Sequence, residues 1–190
     1  MKPCPPFVLH VSFNKMRILP ISLLVILLYI SQSSASLPIE KDANLIRETC
    51  NRTSYHHLCF YSLQSDPRSY TANMSDLAMI SIELARANAM DTLLYVFVLL
   101  KKSAGELMNR SLNTCYGEYE LAIDRFNEGI EEFHSKEYSD IGQLVADAAG
   151  MAETCEEEFN FYNLKSPLTQ RNRLLRQLSN IAADIVWILR

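Results

Sequence analysis

The chain has 190 residues, 48% of them hydrophobic, with 22 acidic against 18 basic side chains and a net charge of −4. Residues 1–35 hold three of the basic residues and none of the acidic ones, so the remainder carries 15 against 22, net −7. That acidity argues against partners held through phosphate contacts, nucleic acid above all. The remaining length of about 155 residues suits one domain burying roughly 68–70% of its unfolded surface.

At the start, Lys15 and Arg17 precede an apolar run from Ile18 to Ile30, and Ser33, Ser34 and Ala35 follow. This is the pattern of a secretory signal cleaved after Ala35. The run contains Pro20 and falls short of the ~20 apolar residues that span a bilayer, so no membrane attachment is expected once it is removed. Met16 stands before a complete signal of its own, which makes residues 1–15, with Cys4, read as dispensable. The expected organisation is a signal peptide over 1–35 and one mature domain over 36–190.

Within that domain, Leu45 and Ile46 lead into Cys50, and a second apolar segment from His57 runs to the stop at Ser65-Asp66-Pro67, together a small helical hairpin over 36–70. A third segment opens at Asn73 or Ser75 and continues to about Ser103, with Leu77, Ile80, Leu84, Ala87, Leu94 and Val98 expected inward at helical steps. Leu93 to Leu100 is apolar all round and reads as a stretch shielded on several sides. From Cys115 to about His134, Tyr119, Ala122, Phe126, Ile130 and Phe133 form the inner face, opposite a stripe of Glu120, Asp124, Glu128 and Glu131. From about Ser139 to Phe159 a partner helix turns Ile141, Leu144, Ala148, Ala152, Cys155 and Phe159 inward. Ser166 as N-cap and Pro167 at the first helical position open the last helix, with Leu168, Leu175, Leu178, Ala182, Ile185 and Leu189 in its seam. Nothing alternates for long enough to be a strand. The fold class expected is all-α: an up-and-down four-helix bundle over 73–190 preceded by the hairpin.

Four cysteines remain in the mature chain, and in an oxidising compartment an even set reads as disulfides. Residue 135, midway between Cys115 and Cys155, falls in the non-helical connection of residues 135–138. Two antiparallel helices folded about that turn bring both cysteines side by side on their inward faces, within the ~7 Å that a bridge requires. Cys50–Cys59 then closes the N-terminal hairpin. The sequons at Asn51, Asn73 and Asn109 are candidates for N-glycosylation on surface loops.

Catalytic patterns are missing: there is no Gly-x-Ser-x-Gly elbow, phosphate-binding glycine loop or His-Glu-x-x-His helix. His56 and His57 read as an exposed turn, not as metal ligands, and Glu156, Glu157 and Glu158 as a solvated helix end. The chain is thus expected to be no enzyme and to need no cofactor or metal. Charge, by contrast, is segregated: residues 115–160 carry thirteen acids and two bases, residues 165–190 five bases and one acid. Such a face steers and orients a partner.

Leu45-Ile46-Arg47-Glu48-Thr49-Cys50, Cys59, Ser65-Asp66-Pro67-Arg68-Ser69, Cys115, Cys155-Glu156, Lys165-Ser166-Pro167-Leu168-Thr169 and Leu178-Ser179-Asn180-Ile181-Ala182 together resemble the plant invertase and pectin methylesterase inhibitors. The resemblance covers essentially the whole mature chain. It implies a four-helix bundle with an N-terminal hairpin and two consecutive bridges, secreted to the apoplast or vacuole. It also implies a one-to-one complex with a pectin methylesterase or an acid invertase whose active-site cleft it closes. In the invertase inhibitors a Pro-Lys-Phe tip between the second and third bundle helices enters the sucrose site; the matching positions here are Lys136, Glu137 and Tyr138, with proline absent, the lysine replaced by glutamate and the aromatic kept. The pectin methylesterase inhibitors lay the outer faces of those helices across the pectin cleft, a mode that the stripe of Glu120, Asp124, Glu128 and Glu131 fits. A secreted helical bundle that binds or signals without inhibiting is the reading from another class.

Overall fold

The protein is described from a computed structural model, covering residues 38–102, 105–135 and 138–189, with side chains from residue 44 onward except at 138 and 139. The expected signal segment, Lys136 and Glu137 lie outside these residues.

Helices α1 (Pro38–Cys50) and α2 (His56–Gln64) form a hairpin, and a 3-10 turn over Pro67–Thr71 leads into α3 (Met74–Lys102), α4 (Glu106–Ser135), α5 (Tyr138–Phe161) and α6 (Thr169–Ile188). No strand occurs among the described residues. Each of the four long helices packs on two others, α3 on α4 and α6, α5 on α4 and α6, which closes an up-and-down bundle. Tyr119, Phe126, Ile141, Phe159, Leu175 and Ile185, one or two from each of α4, α5 and α6, are fully buried in its core. Burying each such side chain is worth about 1.5–3 kcal/mol, an upper figure because the unfolded chain already hides part of it.

Local chemistry sets the ends of these elements. Asn73 Oδ1 accepts from the Asp76 N–H at 3.0 Å while Asp76 Oδ2 accepts from the Asn73 N–H at 3.1 Å, a reciprocal cap that starts α3. Asp66 Oδ1 takes the Arg68 N–H at 2.9 Å and its carboxylate is held by the Arg68 guanidinium at 2.7 Å; that hydrogen bonding keeps the carboxyl below its ordinary value. At the end of α5, Asn163 adopts φ 51° and the Leu164 N–H reaches back to the Phe159 carbonyl at 2.9 Å. A left-handed residue followed by this long back-bond ends the helix, and asparagine is one of the few side chains that tolerates the position.

Three sequence expectations are corrected. α4 begins at Glu106, nine residues before Cys115, and its first turns bury Ser111 and Leu112. The last helix begins at Thr169 behind Leu168, not at Pro167; the Ser166 hydroxyl does accept a backbone N–H, that of Leu168 at 3.0 Å, but as a turn ahead of the helix. The inner side of α3 buries Leu77 and Ile80, as expected, with Ala78, Ile82, Ala85, Ala89, Thr92 and Val96, whereas Ala87, Leu94 and Val98, also expected inward, face solvent. The apolar run from Leu93 is therefore unshielded on one side: Leu94 is 66% exposed, Phe97 47% and Val98 43%.

Candidate protein-binding face

Within the bundle, α4 and α5 are joined covalently as well as packed. Cys115 and Cys155 are bridged with Cα atoms 4.6 Å apart, both fully buried. Nearer the turn, Gly129 is buried against α5, where an added Cβ would stand 3.4 Å from Val145 and 3.6 Å from Ile141; a hydrogen at this position lets the two backbones close up. One turn into α5, Gly142 carries the Trp187 indole directly on its backbone, in space any side chain would fill. The disulfide at one end and the Gly129 contact toward the other fix the register of the hairpin, and Gly142 seats α5 against α6.

On its outer side, Glu120, Asp124, Glu128 and Glu131 are all exposed along one ridge of α4. Of the four, Glu128 has an ion pair among the described residues, with Arg125 at 2.6 Å, and an exposed pair of this kind contributes little. The ridge therefore presents charge outward. Beside it, Leu93 of α3 and Gly117, Glu120, Leu121, Ile123 and Asp124 of α4 line a shallow groove. Glu118 is partly buried, and that desolvation raises its carboxyl.

Glu156 is the residue whose role the sequence conceals. Its carboxylate accepts from the Asn172 amide at 2.6 Å and from the Thr169 hydroxyl at 2.6 Å, and Asn172 Oδ1 in turn accepts from the Tyr119 hydroxyl at 2.8 Å. The chain ties α4, α5 and α6 together beside the Cys115–Cys155 bridge. Burial pushes the Tyr119 phenol well above its ordinary value, so it stays a neutral donor. Glu157, its neighbour, is exposed as expected of a solvated helix end. No helical period could reveal Glu156, because its partners sit on the following helix.

Other candidate residues are dispersed. Cys50 and Cys59 are bridged with Cα atoms 5.5 Å apart, in the N-terminal hairpin and not in the helices that carry the acidic ridge. His56 and His57 lie exposed in the first turn of α2, and among the described residues no group of three His, Cys, Asp or Glu side chains is placed to hold a metal ion. Asn51 is exposed in a turn. Asn73 is exposed and caps α3 through Oδ1, an arrangement that leaves its amide nitrogen for a glycan. Asn109 lies within α4, not on a loop, and Ser111 of its sequon is buried. Tyr138 is the first residue of α5.

Residues 44–185 match the model of a family described as plant invertase/pectin methylesterase inhibitor. The chain belongs to that family. Its function class is accordingly that of a protein inhibitor. The pectinesterase inhibitor of Actinidia deliciosa is 30% identical over 170 residues, 89% of this chain and 92% of that protein. The cell wall / vacuolar inhibitor of fructosidase 2 of Arabidopsis thaliana is 29% identical over 172 residues, 87% of this chain and 96% of that one. Among solved structures, a mutant form of a pectin methylesterase inhibitor from Arabidopsis superposes with a TM-score of 0.64 at 21% identity, covering 73% of this chain and 93% of that one. This family fold is the all-helical, doubly bridged bundle described above.

Proposed function

We propose that this protein is a secreted inhibitor that closes the active-site cleft of a pectin methylesterase in a one-to-one complex, docking through the outer faces of α4 and α5. The observation that carries the reading is the ridge of Glu120, Asp124, Glu128 and Glu131, outward-facing on a hairpin whose register is fixed by Cys115–Cys155. Fixed geometry lowers the entropy that binding must overcome, and a ridge of one sign orients the encounter with a cleft of the other. Inhibition is steric: no group of this chain acts on substrate and no cofactor takes part. Removal of residues 1–35 would deliver the mature domain, 36–190, to the cell wall or vacuole. The naming of fructosidase-inhibitor relatives for those compartments supports this, as does the lack, among the described residues, of any helix long and apolar enough to cross a membrane.

Acid invertase is the second reading, favoured by relatives that differ in named target yet match almost equally, at 29% and 30% identity. Tyr138, the aromatic of the hairpin turn, would be its contact residue together with Lys136 and Glu137. Assay of one oxidised preparation against a pectin methylesterase and an acid invertase separates the two. The expected result is a stoichiometric block of the methylesterase alone. Reversing Glu120, Asp124, Glu128 and Glu131 to lysine should then weaken inhibition at least ~10-fold without changing the fold, since these side chains are exposed. Unaltered inhibition by the reversed protein would remove the ridge from the contact.

A further inference from the structure

The outer side of α3 carries Met90, Leu94, Phe97 and Val98, between 43% and 66% exposed, on a helix whose inner stripe already fills the core. Scattered exposed apolar residues are ordinary, but contiguous ones mark a covered surface. Ala87, Met90, Leu94, Phe97 and Lys101 recur in alternating steps of three and four, which places them on one stripe along the helix against which a second helix can pack. Lys101 extends the stripe, with its ammonium 4.9 Å from the Phe97 ring.

What flanks this ridge differs on its two sides. Toward α4 lies the acidic groove with Leu93, Glu120 and Asp124. Toward α6 lies a second groove, with Asn88 and Asp91 of α3 facing Arg171 and Arg173. Arg171 is fixed there, 2.6 Å from Asp91 and 4.3 Å above the Tyr95 ring, whereas Arg173 is exposed and no ion pair among the described residues holds it. The two grooves stand at the same height on α3, between residues 88 and 93.

We propose that the outer ridge of α3 is a self-association face, on which a second copy of this chain packs about a two-fold axis running along the helix. A closed two-fold contact must be self-complementary. Rotation about an axis along α3 exchanges left and right while keeping height, so the acidic groove of each copy meets the basic groove of the other, twice. An axis across the helix would instead set acid against acid. The charge pattern thus selects both the occupant and the orientation: Leu94 packs against the partner's Leu94 at the centre, and Glu120 and Asp124 face the partner's Arg173 at each rim. Glu120 and Asp124 also belong to the proposed enzyme-facing ridge, so a second copy and the enzyme compete for them, whichever enzyme is inhibited.

Sedimentation velocity and light scattering on the oxidised, unglycosylated secreted chain, from about 1 to 200 µM, test the inference. The expected result is a dimer forming across that range and weakening as salt screens the rims. Leu94→Glu should raise the dissociation constant at least ~10-fold, and Leu94→Gln by less, both with unchanged circular dichroism because the position is exposed. Arg173→Glu should weaken the dimer, and Arg173→Glu with Asp124→Arg should restore it. A monomer at every concentration overturns the inference, as does a dimer indifferent to Leu94→Glu or a charge swap that fails to restore association. Loss of enzyme inhibition by Leu94→Glu in a protein that is monomeric throughout would also overturn it, assigning the ridge to the enzyme contact.

Discussion

The two disulfide-closed hairpins of this protein use the same device for opposite reasons. In the N-terminal hairpin, helices of 13 and 9 residues are joined by a bridge spanning 9 positions. Helices this short are marginal alone. Their hold on the bundle includes buried Ile46 and Leu63, a Thr49 hydroxyl 3.4 Å from the Met74 sulfur, and the Ser54 N–H and hydroxyl, which donate to Asp184 at 2.8 and 2.9 Å. In the α4–α5 hairpin, helices of 30 and 24 residues already share a core, and a bridge spanning 40 positions is sunk within it. The first bridge replaces a core that the segment is too small to build. The second locks the register of a core that exists, and so fixes how one long acidic face is presented.

Removing the bridges one at a time separates these roles. Cys115→Ala with Cys155→Ala frees a loop of ~40 residues and should lower the unfolding free energy by about 4 kcal/mol in urea titrations, with inhibition weakened as the hairpin loosens. Cys50→Ala with Cys59→Ala frees only ~10 residues, for about 2.7 kcal/mol. Its exchange-rate increase should be largest in α1 and α2, the two helices that this bridge joins, although Cys50 and Cys59 are buried in the same core as the bundle. Equal and global effects of both pairs would break the distinction.

The same contrast governs what the sequence reveals. The phase of α4 is legible because acids stand opposite apolar residues, and Glu120, Asp124, Glu128 and Glu131 all emerge exposed. α3 is apolar on every side from Leu93 to Leu100, so its period carries no phase there: Leu77 and Ile80 near its start are buried as expected, but Leu94 and Val98 face solvent. The missed first turns of α4, residues 106–114, hold few apolar side chains, and they become helix by packing: Ser111 and Leu112 are buried there. Pro167 is compatible with a first helical turn, yet the Ser166–Leu168 hydrogen bond turns the chain once more before Thr169. Glu156 was hidden by its neighbours, since three successive glutamates suggest solvent and the bond to Asn172 links positions 16 apart. Patterns within one helix, and cysteines placed symmetrically about a turn, are legible in sequence, whereas hydrogen bonds between helices are not.

Smaller substitutions sharpen the comparison further. Tyr119→Phe removes a hydroxyl and leaves Asn172 Oδ1 buried without its donor, at a cost of about 1–2 kcal/mol. Because the Tyr119–Asn172–Glu156 chain spans three bundle helices, that loss should appear as a uniform lowering of the whole transition.

Asp184→Ala is expected to cost least, about 1 kcal/mol, because both hydrogen bonds it receives from Ser54 are exposed. Its value lies in where the cost falls. Asp184 belongs to α6 and Ser54 to the turn between α1 and α2, so the substitution leaves each hairpin intact and cuts a tie between the N-terminal one and α6. Amide exchange should quicken in residues 44–64 and stay unchanged around Tyr119 and Phe126, with enzyme inhibition retained if α4 and α5 form the contact. Exchange that quickens throughout the bundle would mean that the N-terminal hairpin is a structural part of the core and not an appendage closed by its own bridge.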